Sequence, residues 1–444
     1  MERKLRIGVF GGARGNSMIQ VLLHHPEAEL VAVCDKYTPL LDLARQNAEN
    51  AGLHIACFES FDDFIQYDMD AVVLANYATE HATFAIRCLK AGKHVLSEVL
   101  PSETMAQAVE LIETVEETGL VYAYAENYCY MDLTFEMWRR YREGDIGDVT
   151  YAEGEYIHDC AACWLDITYG DPNHWRNHLC PTFYCTHSLG PIMTITGHRP
   201  VQVVGFENPP IEEFYHLGHA GGHASGIEMV TLDNGATVKS IHGALKREPA
   251  QTSYKVFGTK GFLGTCADAE GEKVRLYQES ATQTCAGENR YIVPEKFVSA
   301  ELAKNSGVAT HGGSDFYPTH FFIEKILGHE DGKWSIDVYQ AVDMGICGIL
   351  AFRSILNGNM PIKVPNLRNK EERDAWRHDN ACTNAAVAGG ARGSMVASGG
   401  ASVPPSWCGI ATKNVRRIGG IFPFTLSKNL QGSTDQTEPV QLRF

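Results

Sequence analysis

A glycine-rich loop between two short apolar runs constrains this chain more than any other feature. The first run, Leu5–Phe10, has the continuous apolar pattern of a buried parallel strand, and glycines follow it directly before a helix-like stretch. Glycine lets the backbone turn sharply and approach a pyrophosphate, which the free N–H groups of the next helix attract. We therefore predict a dinucleotide-binding loop, and its candidate cofactor residues are Gly11, Gly12, Arg14 and Gly15.

An aspartate at the end of the second apolar run indicates which dinucleotide binds. This run, Val31–Asp35, ends at the carboxylate of Asp35. A carboxylate there can accept both ribose hydroxyls of NAD and would repel the extra phosphate of NADP. Ala13 stands where a G-x-G-x-x-G pattern would have a glycine, so the loop alone is a weak signal. The loop, its strand and Asp35 together indicate NAD.

The composition excludes several classes of protein. The net charge is −16 without a long basic run, which argues against nucleic acid or an anionic membrane surface as the partner. No uninterrupted apolar run reaches the about 20 residues of a membrane span. Met1–Lys4 leads directly into the first strand, so we expect no signal peptide and a cytoplasmic location. The 13 cysteines are then expected to be reduced thiols.

Strand-like and helix-like segments alternate up to about residue 124. Apolar runs at Ala71–Ala75, Lys93–Glu98 and Val121–Tyr124 are separated by helical patterns at Thr83–Ala91 and Thr104–Glu117. This alternation predicts an α/β fold with a doubly wound parallel Rossmann sheet over residues 1–124, with ligand groups at the carboxyl ends of its strands.

From Asp148 onward, strand candidates follow one another without helices between them. They are Val149–His158, Val201–Phe206, Gly226–Leu232, Ala236–His242 and Ser253–Phe257. The series predicts a second α/β domain over 125–380 with an open, largely antiparallel sheet, which would allow a homo-oligomer. A long helix is predicted over Ser335–Leu356. Residues 381–444 are poor in periodic apolar pattern, and we predict a weakly ordered tail without chemistry.

One segment resembles a known superfamily. Gly92–Glu98, after a strand–loop–helix that carries His81, resembles the Gfo/Idh/MocA superfamily of glucose–fructose oxidoreductase and inositol dehydrogenase relatives. In ordinary dehydrogenases of that superfamily the segment reads Glu-Lys-Pro, and the lysine contacts the nicotinamide ribose and the substrate. Here it reads Glu98-Val99-Leu100-Pro101. An isopropyl group replaces the amine, which argues against a simple alcohol dehydrogenase.

The Glu-Val pair resembles instead the NAD-dependent glycoside hydrolases of the α-N-acetylgalactosaminidase type, a branch of the same superfamily. Further motifs extend this resemblance over residues 5–380: Glu126–Tyr130, Glu153–Asp159, Trp175-Arg176, Tyr184–Pro191, Tyr254 before Gly258–Gly261, and His311–Phe316. The resemblance implies NAD contacts at Asp35, His81, Glu98, Val99 and Asn127. It implies substrate contacts at Tyr156, Arg176, Tyr184 and Tyr254, and it places Glu126 and His187 at the reacting sugar.

The resemblance also implies a reaction. Members of this branch oxidise a sugar hydroxyl, typically at C3, eliminate the group at C1, add water and return the hydride. Such chemistry needs two bases and an acid, roles for which His and Tyr are suited because their environment can tune their pKa values. We place His187 and Tyr184 near the C3 hydroxyl. Tyr156 and His158, at i and i+2 on one strand face, are placed nearer C2.

Other interpretations stay open at this point. The chain could be an ordinary NAD-dependent sugar or polyol dehydrogenase, or a non-catalytic sensor of a sugar and a nucleotide. Glu126 could simply brace the nicotinamide pocket, and Arg176 could be structural. Tyr156 and His158 could be hydrogen-bonded core residues. A carboxylate-pair glycosidase is disfavoured, because nothing pairs Glu126 with a second acid.

A metal centre is weighed because Cys160-x-x-Cys163 is a ligand-like pair. Zinc takes four such ligands in tetrahedral geometry, but a second C-x-x-C is missing and the segment is long, acidic and loop-like. We therefore predict no metal and no redox role for the pair. The other candidate ligands nearby in sequence are His158, His174, His178, Cys180 and Cys185.

Overall fold

The computed structural model describes residues 3–222, 225–245, 251–280, 287–294 and 314–382. These residues all belong to one compact unit, Met1–Gly400. The predicted tail lies outside the described residues from 383 onward, and so does the 311–313 part of the last family motif.

Six parallel strands form the N-terminal sheet, in the order β3-β2-β1-β4-β5-β6. This is the predicted doubly wound sheet, and its central strands are apolar because helices cover both faces. The strands are β1 (Leu5–Phe10), β2 (Ala28–Cys34), β3 (Ala56–Phe58), β4 (Ala71–Leu74), β5 (His94–Ser97) and β6 (Tyr122–Tyr124).

Five helices connect these strands, and their ends follow local sequence signals. Thr104 caps α5 in a reciprocal capping box with Gln107, and Gly119 ends that helix with φ +63°, a left-handed conformation that glycine adopts without strain. The helices are α1 (Asn16–His24), α2 (Thr38–Asn50), α3 (Phe61–Phe64), α4 (His81–Lys90) and α5 (Met105–Thr118).

The second sheet has the order β14-β13-β12-β11-β7-β10-β9-β8-β15 among the described residues. Only the β7–β10 pairing is parallel, which confirms the predicted, largely antiparallel sheet. The turn Asp233–Gly235 joins β9 to β10, as expected. The strands are β7 (Val149–Ile157), β8 (Pro200–Glu207), β9 (Ser225–Leu232), β10 (Thr237–Gly243), β11 (Gln251–Gly258), β12 (Gly261–Asp268), β13 (Gly271–Gln278), β14 (Glu288–Ile292) and β15 (Ile362–Lys363).

The helices of the second half include the predicted long one. It begins at Val338, later than expected, because Asp337 caps it together with Gln340. The segment Glu330–Leu356 is long and apolar enough to span a membrane by length and composition, but 83% of its apolar window is buried, as in a core helix. These helices are α6 (Asp132–Arg142), α7 (Trp164–Ile167), α8 (Thr186–Thr196), α9 (Glu212–His216), α10 (Phe316–Leu327), α11 (Val338–Leu356) and α12 (Lys370–Asp374).

Two packing contacts relate these parts to the site. Helix α10 returns to the N-terminal sheet, where Phe322 and Ile323 share a core with Ile7 and Val9. Helix α8 lies across β7 and β10 of the second sheet. The N-terminal end of α10 and the first turn of α8 therefore both reach the region beyond the carboxyl ends of the parallel strands. The predicted boundary at residues 124 and 125 stays a prediction.

Candidate active site

The glycine loop closes tightly against the neighbouring strand. Gly11 has φ +98°, and a Cβ atom there would lie 2.4 Å from the carbonyl oxygen of Ala75. A Cβ atom at Gly15 would lie 2.2 Å from the carbonyl oxygen of Gly11. Helix α1 starts directly afterwards at Asn16, so its N-terminal N–H groups face the loop. Only glycine permits this close turn, which fits a pyrophosphate.

Asp35 lies where β2 ends and faces the same loop. Its Oδ2 accepts the N–H of Gly12 at 2.7 Å, and its Oδ1 accepts the N–H of Tyr37 at 2.8 Å. These two hydrogen bonds fix the carboxylate at the loop and leave its remaining lone pairs for other donors. The loop therefore offers N–H donors to an NAD pyrophosphate, and Asp35 offers a carboxylate acceptor to the ribose hydroxyls.

Arg14 connects the loop to two buried carboxylates. Its Nη2 lies 2.7 Å from Oε1 of Glu98 and 2.8 Å from Oδ1 of Asp315. Asn127 donates to the same Asp315 oxygen at 3.1 Å. Burial raises the pKa of Glu98, and the guanidinium of Arg14 opposes this shift. Three predicted cofactor residues therefore meet in one network, in which the sequence analysis gave Asp315 no role.

His81 and Val99 shape the wall of this pocket. The ring nitrogens of His81 lie 3.1 Å from the carbonyl oxygen of Leu100 and 3.2 Å from that of Asn76. Burial lowers the pKa of His81 to about 4, so the ring is neutral near pH 7 and its single N–H donates to one of these two carbonyl oxygens. Val99 is 5% exposed, and its isopropyl group follows directly after Glu98. Direct contacts of His81 and Val99 with NAD stay predictions.

His187 and Glu126 form a buried pair. Nδ1 of His187, in the first turn of α8, lies 2.6 Å from Oε1 of Glu126. Glu126 follows β6, is fully buried, and also accepts the N–H of Tyr128 at 3.3 Å. With Nδ1–H donated to the carboxylate, the lone pair of Nε2 is left for a ligand. Glu126 therefore orients His187, which goes beyond bracing a pocket.

Three tyrosine rings surround His187. The ring centroids of Tyr128, Tyr156 and Tyr184 lie 4.6, 4.7 and 5.1 Å from that of His187. Burial raises the pKa values of Tyr156 and Tyr184 above the usual 10, so these phenols stay protonated at neutral pH. The sequence analysis missed Tyr128. Its place two residues after Glu126 in a family motif was the only available signal.

His158 contacts Tyr156, which in turn contacts His187. Its ring stacks on that of Tyr156 with centroids 6.2 Å apart, and its Nδ1 lies 2.7 Å from Sγ of Cys160. Burial raises the pKa of Cys160 to about 12, so this sulfur is a thiol. In the described part of the chain, the two groups of side chains close enough to share a metal ion both include Glu324, and neither includes Cys160 or Cys163.

Tyr254 and Arg176 approach the site differently. Tyr254 is 2% exposed, and its hydroxyl donates to the carbonyl oxygen of His187 at 2.8 Å. It therefore positions His187, and its predicted substrate contact stays a prediction. Arg176 lies over the rings of Trp175 and Tyr184, at 4.4 and 5.6 Å. A cavity of about 110 Å³ opens here, and its lining includes Tyr156, His158, Arg176 and Tyr184.

Two family models match this chain. Residues 5–126 match the Gfo/Idh/MocA oxidoreductase family, NAD-binding Rossmann fold. Residues 213–374 match the C-terminal domain of glycosyl hydrolase 109. A protein of Phocaeicola vulgatus named glycosyl hydrolase family 109 protein 1 is 27% identical over 84% of this chain and 86% of its own length. A protein of the same name from Bacteroides thetaiotaomicron is 24% identical over 82% of this chain and 84% of its own length.

Solved structures share the fold. Scyllo-inositol dehydrogenase from Lactobacillus casei, solved with NAD(H) and scyllo-inositol, has a TM-score of 0.62 at 17% identity and covers 83% of this chain and 100% of its own. Myo-inositol 2-dehydrogenase from Lactobacillus plantarum has a TM-score of 0.60 at 15% identity, covering 82% and 100%. This chain is therefore an NAD-binding enzyme, in which a Rossmann domain of the Gfo/Idh/MocA oxidoreductase type is followed by a match to the glycosyl hydrolase 109 C-terminal domain.

Proposed function

We propose that this enzyme hydrolyses a glycosidic bond by transient oxidation of the sugar at C3, elimination, water addition and re-reduction. The observation that carries the proposal is the Glu126–His187 pair, at 2.6 Å, among tyrosines that stay protonated. This arrangement offers an imidazole base in a chain whose residue after Glu98 is Val99, where the ordinary dehydrogenases that it resembles have a lysine. The names of the similar curated proteins support the same reaction class.

The first proton transfer falls to His187. When bound, NAD supplies a hydride acceptor that returns the hydride at the end, so no net oxidation occurs. Nε2 of His187 takes the proton of the C3 hydroxyl, while Glu126 stabilises the imidazolium through Nδ1–H. The protonated phenol of Tyr184 donates a hydrogen bond to the same sugar oxygen and orients it.

The second half of the site handles the elimination. A C3 ketone acidifies the C2 hydrogen, so a modest base can remove it. We assign this base to His158, which stacks on Tyr156. The C2–H electrons form the C1–C2 double bond as the C1–O bond breaks, and the protonated phenol of Tyr156 gives its proton to the departing oxygen. Water then adds at C1, and a proton returns to C2.

The experiment is cleavage of aryl glycosides by the NAD-loaded enzyme in deuterated water. We expect one deuterium at C2 of the released sugar and a loss of cleavage when NAD is removed. Cleavage without deuterium at C2, or without NAD, would contradict the mechanism. Steady accumulation of NADH with a free sugar would identify a dehydrogenase instead. Tight binding of NAD and sugar without turnover would identify a sensor.

A matched variant separates binding from chemistry. His187→Gln keeps a polar side chain of similar size but cannot act as a base. We expect it to bind NAD, measured by quenching of protein fluorescence, and to lose both cleavage and exchange at C2. If this variant still exchanged hydrogen at C2, the first proton transfer would have to be assigned to another residue.

A further inference from the structure

The cavity beside Tyr156 and Tyr184 carries cationic and imidazole groups without a facing carboxylate. Among the described residues that line it, Arg176 is a permanent cation, and His158, His219 and His242 are titratable. The same described lining contains no Asp or Glu, although the chain as a whole has a net charge of −16. The lining of the cavity therefore has a positive charge, whereas the chain as a whole has a negative one.

Arg176 is available to a ligand. It stacks on Trp175 and Tyr184 and hydrogen-bonds to the Tyr184 hydroxyl, and the described lining of the cavity offers it no carboxylate. An arginine on aromatic faces keeps its planar N–H groups directed sideways, where they match the two oxygens of a carboxylate or sulfate.

His242 is a second recognition group, and the sequence analysis did not identify it. It stands beside Tyr156 in the register of β10 and β7, so both side chains lie on the same face of the sheet. The ring is 3% exposed, lines the cavity, and neither ring nitrogen has a hydrogen bond. A buried polar group without a partner costs free energy, which a bound ligand would remove.

Glu228 lies next to His242. Its Oε1 lies 3.6 Å from Nδ1 of His242, and its Oε2 accepts the hydroxyl of Ser240 at 2.9 Å. Glu228 is fully buried and so lies behind the imidazole, away from solvent. An oxyanion on the cavity side would accept a hydrogen bond from the ring nitrogen of His242 that faces it.

We propose that the natural substrate is a sugar with an oxyanion substituent, a carboxylate or a sulfate ester, held by Arg176 and His242. The proposal rests on the proposed function, because it takes this cavity as the sugar site. It adds a substrate class and the binding residue His242. Tyr156 neighbours both His187 and His242, so one sugar at Tyr156 would place its reacting carbons toward His187 and its substituent toward His242.

The test measures binding to the NAD-loaded full chain by calorimetry, with matched sugar pairs. Methyl glucoside is compared with methyl glucuronide, methyl galactoside with methyl galacturonide, and methyl galactoside with its 6-sulfate. We expect the acidic member of at least one pair to bind at least about tenfold more tightly. Comparing the uronides with the sulfate shows whether the site prefers a carboxylate or a sulfate ester.

Variants assign the preference to the two residues. We expect Arg176→Met and His242→Gln each to reduce the ratio of acidic to neutral affinity severalfold. His198→Gln is the control, because His198 pairs with Asp233 beyond the far end of α8 and we expect it to keep the ratio. Circular dichroism and NAD binding show whether each variant is folded.

The outcomes separate the two proposals. Equal or weaker binding of the acidic sugar in every pair, including no binding at all, would overturn the substrate class. A preference that survives both Arg176→Met and His242→Gln would overturn the residue assignment. Cleavage with exchange at C2 but without an acidic preference would overturn this inference alone. An acidic preference without any cleavage would overturn the proposed function alone.

Discussion

The carbonyl oxygen of Ser188 occupies the space that a side chain at Gly154 would need. A Cβ atom at position 154 would lie 1.9 Å from that oxygen. Helix α8 therefore approaches β7 closely, and this approach places His187 near Glu126 and under the hydroxyl of Tyr254. Gly154 therefore sets how closely α8, the helix that carries the candidate base His187, packs on the sheet.

Gly154→Ala tests this packing. The added methyl group must push α8 away from β7, and we expect a loss of about 1–3 kcal/mol in the free energy of unfolding. Cleavage should fall further than stability does, because His187 moves with the helix. Gly205→Ala is the control: its Cβ would lie 2.1 Å from the carbonyl oxygen of Ala351 on α11, so it should cost similar stability without moving α8. An equal loss of cleavage in the two variants would argue against the depth of α8 as the cause.

Glu126→Gln tests the role of the carboxylate behind His187. The amide keeps the shape but cannot stabilise an imidazolium, so kcat should fall by about 10²–10⁴ while the affinity for NAD stays within severalfold. The double variant with His187→Gln should be little slower than either single one, since the two residues act as a unit. Multiplicative losses in the double variant would show that they act independently. Glu143→Gln, at an exposed position directly after α6, serves as the control.

Arg14→Met removes the cation shared by Glu98 and Asp315. Asp315 is fully buried, and an uncompensated buried carboxylate costs about 3–5 kcal/mol. We expect a loss of this order in chemical denaturation, measured with and without NAD. Arg14→Lys keeps the charge and should lose less. A free energy of unfolding within about 1 kcal/mol of the original for Arg14→Met would contradict this account.

Asp35→Ala tests the choice between NAD and NADP. The variant loses an acceptor for the ribose hydroxyls and the negative charge that repels a 2′-phosphate, so the Kd for NAD should rise about tenfold. The preference for NAD over NADP should narrow accordingly in fluorescence titrations. Asp42→Ala, which removes an exposed carboxylate of α2 paired with Arg45, should leave both affinities as they are. If Asp35→Ala kept the same preference for NAD over NADP, residues other than Asp35 would select the nucleotide.

Glu324 should make stability depend on pH. Burial and a hydrogen bond with Glu27 raise the pKa of Glu324 from 4.5 to about 7. Between these values the folded protein holds a proton that the unfolded chain releases, so the contribution to stability is complete below pH 4.5 and is lost as the pH rises through 7. The loss should be on the order of 1–2 kcal/mol, because solvent near the pair screens it.

Glu324→Gln isolates this contribution. The variant keeps a neutral side chain at all pH values, so its stability relative to the original protein should rise between pH 4.5 and 8. Denaturant unfolding at a series of pH values measures the difference. Histidines remote from Glu324 with lowered pKa values, such as His81, contribute to both proteins and cancel. A constant difference across this range would contradict the assignment.

The Rossmann sheet was predictable because its strands are buried on both faces and therefore have continuous apolar runs. The alternating pattern of β7 was equally clear. Strands β12, β13 and β14 were not predicted, since this edge of the sheet is largely exposed and Glu288–Ile292 has little apolar pattern. Helix α8 continues through Pro191, because burial outweighs the helix-breaking tendency of proline.

The sequence by itself determined the cofactor loop, the carboxylate of Asp35 and a set of tyrosines and histidines in ordered motifs, because these are local patterns along the chain. Tertiary structure alone decided which of them meet. His187 finds Glu126 across 61 residues, and Arg14 finds Asp315 across 301. Such pairs depend on how helices pack on sheets. The periodicity of a segment indicates only which of its faces is buried, not which distant residue that face contacts. The same packing turned Tyr254 toward His187 and brought His242 to the cavity beside Tyr156.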